Sequence, residues 1–104
     1  GATASMRGSS GFSAFSSAKF ALRAVAQSMA RELGPQGIHV AHFVIDGAID
    51  TAFIKEMFPD TYALKEKDGI LQPDSIADAY WFVHTQHRSS WTHELDLRPY
   101  MEKF

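Results

Sequence analysis

Cysteine is absent from the 104 residues, so neither a disulfide framework nor a thiolate zinc site is available. An excess of charge of either sign is also missing. Ten Lys and Arg stand against 12 Asp and Glu, a formal net charge of −2, which leaves no electrostatic footprint for nucleic acid or an anionic membrane. No apolar run reaches the ~18 residues of a membrane span, and no secretory leader is visible. A soluble, cytoplasmic protein is the expectation. Internal repeats, linkers and low-complexity tracts are lacking, and the chain opens on Gly1 rather than Met, so the natural N-terminus is expected to lie upstream. What is present is 45% apolar, enough for a folded chain of one domain at most, with a core less complete than that of a larger domain.

The stretch Gly11–Val44 organises the rest. Phe15, Ala18, Leu22, Val25, Ala26, Met29, Ala30 and Leu33 fall close to the i, i+3, i+4, i+7 spacing of an amphipathic helix. The segment is rich in helix formers. Ser13 is the expected N-cap, and Gly34-Pro35 the expected stop, with Gly tolerating a left-handed turn and Pro unable to continue the helix. His39–Ile45 is almost continuously apolar and partly β-branched, which predicts a strand buried on both faces, the kind found in parallel sheets covered by helices. Thr51–Met57 reads as a short helix, with Asp50 or Thr51 as its cap. Phe58–Gln72 reads as a mobile surface segment. Pro73-Asp74 opens another helix, Pro fitting the first turn and Asp its positive end, and Trp91–Leu97 alternates as a last strand ended by Arg98-Pro99. The predicted class is α/β.

The run AFSSAKFALRAVAQSMARELGPQGIHVAHFVIDGAIDT resembles the second half of a short-chain dehydrogenase/reductase, and PDSIADAYWFVHTQHRSSWTHELDLRP is similar, more loosely, to that family's last helix and strand. Only the C-terminal part of an ordinary member is matched. The resemblance implies a piece of a Rossmann-type doubly wound parallel sheet, one partial unit over 1–104, lacking the Gly-rich dinucleotide-binding half. It implies 51–72 as a mobile segment closing over substrate, whose Phe53, Phe58 and Tyr62 either line a pocket or pack the loop down. Gly8-Ser9-Ser10-Gly11 does not follow a buried strand and is no phosphate cradle.

The family's chemistry, as the resemblance implies it, uses a Tyr-x-x-x-Lys on the long helix and a Ser thirteen residues before the Tyr. Spacing of i, i+4 puts Tyr and Lys on one helix face. Lys19 occupies the Lys position, but Phe15 stands at the Tyr position and Ala2 at the Ser position. A phenyl ring has no proton to give. Thr3, Ser5, Ser13, Ser16 and Ser17 lie nearby without an evident substitute spacing, and an unassisted hydroxyl is too weak an acid to replace a tuned phenol. Lys19 has two readings: it grips the nicotinamide ribose of NAD or NADP, or it lays its stem on apolar surface with its amine in water. In Asp46-Gly47-Ala48-Ile49-Asp50-Thr51, Gly47, Ile49 and Thr51 keep the pattern that meets the nicotinamide, with Asp46 in place of the family's Pro. A Gly just beyond the C-terminal end of a buried strand is where α/β sheets bind ligands. No metal site is expected. His39 and His42 point to opposite faces of a strand, and His84-x-x-His87 lacks a third ligand.

Two functions follow as expectations. One is an NAD(P)-dependent oxidoreductase transferring hydride between nicotinamide and an alcohol or carbonyl, represented by a C-terminal portion that is inactive alone. The other is a non-catalytic oligomerisation or regulatory module derived from such an enzyme. The expected partners are a small-molecule substrate and either a second copy, through helix 13–33, or the missing N-terminal half.

Overall fold

A computed structural model describes residues 1–104. Its elements are α1 (Ser13–Leu33), β1 (His42–Ile45), α2 (Ala52–Met57), α3 (Pro59–Tyr62), α4 (Pro73–His84) and β2 (Glu94–Leu97), with 3₁₀ turns at Thr3–Ser5, Gly34–Gln36, Ala63–Lys67 and Arg88–Ser90. β1 and β2 run parallel, with His42 opposite Glu94 and Ile45 opposite Leu97. On its other edge β1 bridges Ala2 in parallel through Ile45, whose N–H donates to the Gly1 carbonyl at 3.3 Å. β1 is therefore the central strand, and the burial of His42, Phe43 and Val44 follows from that position.

Alternation along β1 sends successive side chains to opposite faces. Phe43 stacks on Tyr80 of α4, ring centroids 3.8 Å apart. His42 faces the other way and meets Glu94 of β2, Nδ1 to Oε2 at 3.1 Å. Glu94 in turn accepts both arms of Arg23 from α1, each at 2.9 Å. Thus α4 covers one face and α1 the other, the arrangement of a partial Rossmann-like sheet.

The long helix spans the expected residues, but its rotation differs from the apolar stripe. Ser16 is its only buried residue. Lys19, Arg23, Ala26, Gln27, Ala30 and Leu33 are half-buried, and these trace the side toward the sheet. Leu22, Val25 and Met29 lie outward, Leu22 45% and Val25 53% exposed. The ion pair of Arg23 fixes which side faces the strands. The Ser13 cap is not formed: Phe12 holds the N-cap position, without a side-chain bond. Gly34 stays right-handed in a 3₁₀ turn, and the left-handed residue is Gly37, φ 85°. Pro35 fits the start of that turn because its fixed φ suits it. The strand begins at His42 rather than His39, whose ring instead stacks on Trp91 at 4.5 Å.

Segment 51–72 folds as α2, α3 and a 3₁₀ turn, and returns to the sheet end where Leu71 pairs with Ile49. Thr51 caps α2, its hydroxyl accepting from the Ile54 N–H at 3.3 Å. Lys65 pairs with Asp50 at 2.9 Å. Ile70 and Leu71 are buried.

The Arg23 guanidinium, then burial, then His42 set the Glu94 carboxyl, and the net effect holds it below its usual range. A carboxyl depressed in the folded state contributes stability fully above its unfolded value, near 4.5, and loses it as pH falls through the folded one. Glu94→Gln is expected to cost about 1–3 kcal/mol at neutral pH. Thermal unfolding followed by circular dichroism checks this: the gap between wild type and variant should narrow below pH 4.5, and a gap independent of pH would refute it.

Candidate coenzyme and substrate site

β1 ends at Ile45, and the chain passes through Asp46 and Gly47 into the turn before α2. At this C-terminal strand end lies a cavity of about 570 Å³. It is walled by Ala2, Thr3 and Ala4 of the first turn, by Phe12, Phe15 and Ser16 where α1 begins, and by Ile45, Gly47 and Ala48. Ser9 and Glu102 complete it. Three positions singled out in the sequence, Ala2, Phe15 and Gly47, therefore share one space. Two further positions singled out in the sequence, Lys19 and Asp46, sit beside it. Lys19 is one helical turn on from Phe15, its Nζ 5.5 Å from the centre of that ring, and it forms no ion pair. Asp46 directly precedes Gly47.

Gly47 is required twice. Its φ of 150° is one that L side chains rarely adopt, and a Cβ would stand 2.9 Å from Pro99 Cδ and 3.3 Å from Leu71 Cδ1. Asp46, 4% exposed, is a buried carboxylate with partners on two sides. The Thr3 hydroxyl donates to its Oδ1, and Arg98 Nε donates to Oδ2 at 3.3 Å. Its own N–H donates to the Leu97 carbonyl at 2.8 Å. A carboxylate at this place thus links the first turn, β1 and the segment after β2, a tie that a Pro could not make. Burial of a charge is tolerated because it is paired and hydrogen-bonded.

Three of the five hydroxyls near Phe15 have defined surroundings. Thr3 is committed to Asp46. Ser5 is fully buried and donates to the Ala2 carbonyl at 2.6 Å. The Ser16 hydroxyl is buried with no partner. Thr3 and Ser5 are thus committed elsewhere, and neither stands in for a phenol. Ile49 is held in the turn by its pairing with Leu71 and is not among the residues lining the cavity. Thr51 is occupied in capping α2. Phe53 and Phe58 meet edge to face at 6.1 Å and are both more than half exposed. Tyr62 lies between Lys55 and Lys65. These three aromatics do not reach the Phe15 cavity. Sequence reasoning did not find Phe12 and Glu102 as lining residues, nor the Thr3–Asp46–Arg98 tie. The only visible signal for the tie was Asp46 where the resembling family has Pro.

A separate cleft of about 320 Å³ lies at the opposite ends of the strands, between Arg31, His39, Trp91 and His93, and shares none of these groups. No cluster of three or more His, Asp or Glu side chains is arranged to hold a metal ion. No helix is long and apolar enough to cross a membrane.

The chain can be set against known proteins on this geometry. A family described as short chain dehydrogenase matches residues 1–61. The crystal structure of a short-chain dehydrogenase from Rhodopseudomonas palustris is 49% identical, superposes with a TM-score of 0.68, and is matched over 96% of this chain. The chain spans 36% of that protein's length. No curated protein matches.

Gly47→Ala is expected to destabilise the fold by about 1–3 kcal/mol through backbone strain and the Pro99 contact. Urea unfolding measures it, and a loss below about 0.5 kcal/mol would contradict the reading. With its family match across residues 1–61, and a parallel strand ending on Gly47 beside Phe15 and Lys19, the chain belongs to the short-chain dehydrogenase family.

Proposed function

We propose that this chain is the nicotinamide-and-substrate portion of an NAD(P)-dependent oxidoreductase, and that alone it does not turn over. The supporting observation is the shared cavity of Ala2, Phe15 and Gly47 at the C-terminal end of β1, with the unpaired Lys19 amine beside it. Its size and mostly apolar lining fit a nicotinamide ring and the reacting end of a small substrate. The donor set fits the ribose: an ammonium with no carboxylate partner has donors free for two hydroxyls. The nucleotide end finds no such fit, since no Gly-rich turn follows a buried strand.

When bound, the nicotinamide gives or takes the hydride. The chain's own residues do the rest. Lys19 holds the ribose. Gly47 lets the backbone approach closely, while Ile49 and Thr51 shape the turn that borders the ring. Segment 51–72 borders the site only through its anchor at Leu71; Phe53, Phe58 and Tyr62 pack within the segment and leave the cavity wall to other residues. Phe15 contributes shape but no proton, and Ala2 offers no hydroxyl to polarise a carbonyl, so the usual Tyr and Ser of alcohol–ketone proton transfer are both missing from this wall.

A second reading, an association module, is favoured by one observation. The large apolar residues of α1 face outward from the sheet, and an exposed stripe of this kind marks an interface. The partner is a second copy of the chain or the remaining half of the fold.

Two outcomes are expected. Titration with NADH and NADPH, followed by nicotinamide fluorescence, should show weak saturable binding that falls about tenfold or more in Lys19→Ala, the loss of charge-assisted contacts. Absence of binding at millimolar coenzyme would overturn the coenzyme reading for this chain. In light scattering the chain should run as a dimer or larger, and Leu22→Lys with Val25→Lys should shift it toward monomer. A monodisperse wild-type monomer would end the association of copies.

A further inference from the structure

The one ionisable residue among those lining the cavity comes from the tail after β2. Ten of its eleven lining residues are apolar or neutral; the eleventh is Glu102. Three anchors hold Glu102 there. Pro99 is buried against the turn at Gly47. Met101 lies at Gly69, where an added Cβ would come within 2.6 Å of its Sδ. Arg98, tied to Asp46, carries the Phe104 ring 3.6 Å from its guanidinium carbon. The Glu102 N–H closes the tail's turn on the Pro99 carbonyl at 3.0 Å. Its carboxylate enters no ion pair.

A Glu as the one ionisable residue lining the cavity, its carboxylate in no ion pair, has a specific recognition consequence. It attracts a cation whose apolar part fills the remaining space, and it repels an anion. The walls of Phe12, Phe15 and Ile45 suit an aromatic or branched aliphatic body. We propose that Glu102 selects the substrate of this site by charge, and that the substrate is a small hydrophobic amine, protonated at neutral pH, with its ammonium against Glu102. That the ligand is a substrate rests on the oxidoreductase reading above; the charge selection itself does not.

The test is made without coenzyme. Protonated 2-phenylethylamine, neutral 2-phenylethanol and anionic phenylacetate are titrated into the chain, with backbone amide shifts mapped by NMR. The expected order is amine over alcohol by about tenfold, with phenylacetate weakest, as for one charge-assisted contact. Shifts should centre on Thr3, Ala48 and Glu102. In Glu102→Gln the amine and the alcohol should bind alike. Should that variant unfold, the wild-type order at low and at 0.5 M salt supplies the same readout, since the amine's advantage should shrink as salt rises. Equal binding of amine and alcohol, no amine binding, a salt-independent advantage, or shifts centred on Arg31 and Trp91 would each overturn the proposal. Amine selection without NADH binding would leave it standing and remove the coenzyme reading instead.

Discussion

Glu94 sits where three elements meet. Its two carboxylate oxygens take both arms of Arg23 from α1, and Oε2 also faces Nδ1 of buried His42 in β1. A forked contact of this geometry fixes direction as well as distance. It sets the rotation of a 21-residue helix against the sheet, and that rotation decides what the helix offers to each side. Toward the strands go Ser16, Lys19 and Arg23. Outward go Phe15's neighbours along the stripe, Leu22, Val25 and Met29. The inward side thus mixes polar groups with Ala26, Ala30 and Leu33, while the larger apolar groups lie outward, a departure from the usual amphipathic arrangement. Apolar groups on the outward side suit a helix that lies between two layers, with the sheet on one side and further protein on the other.

The same rotation brings the site into register. With Arg23 fixed on Glu94, Lys19 and Ser16 lie one and two turns toward the helix start, at the end of the sheet where β1 terminates in Asp46-Gly47. Helix start, strand end and first turn then enclose one space. Asp46 completes it from below, binding Thr3 and Arg98, so the first and last segments of the chain are tied through a single buried carboxylate.

Much of this was legible in the sequence. Helix 13–33, the buried strand, the cap at Thr51 and the helix from Pro73 all follow from local periodicity and local chemistry, where the partners lie within four residues of one another. The positions of Phe15, Ala2 and Gly47 in one site came from the family resemblance and from the position of a Gly beyond a strand end. What was not legible depends on distant pairs. Arg23 and Glu94 are 71 residues apart, and no helical pattern announces that a cation will outweigh a stripe of Leu, Val and Met in choosing the buried side. His39 reads as a strand residue until Trp91, 52 positions on in the sequence, offers a stacking partner outside the ladder. Phe58–Gln72 reads as a surface loop because Pro59 and the charged run hide two short helical turns, and because the anchor at Ile49–Leu71 is again a long-range pairing.

Two substitutions at the site become one change when seen in space. Replacing a phenol by Phe15 removes a proton donor from the helix wall, and replacing Pro by Asp46 adds a charge below it. That charge holds Arg98, and Arg98 holds the tail that carries Glu102 into the cavity. The polarity lost from the helix side is thus returned from the chain's end, as a carboxylate instead of a phenol. A phenol hydrogen-bonds to a neutral oxygen and passes a proton; an ionised carboxylate only accepts, and favours a cation. Under the proposal above, a cavity arranged in this way takes a cation where the family's usual Tyr and Ser would serve a neutral oxygen.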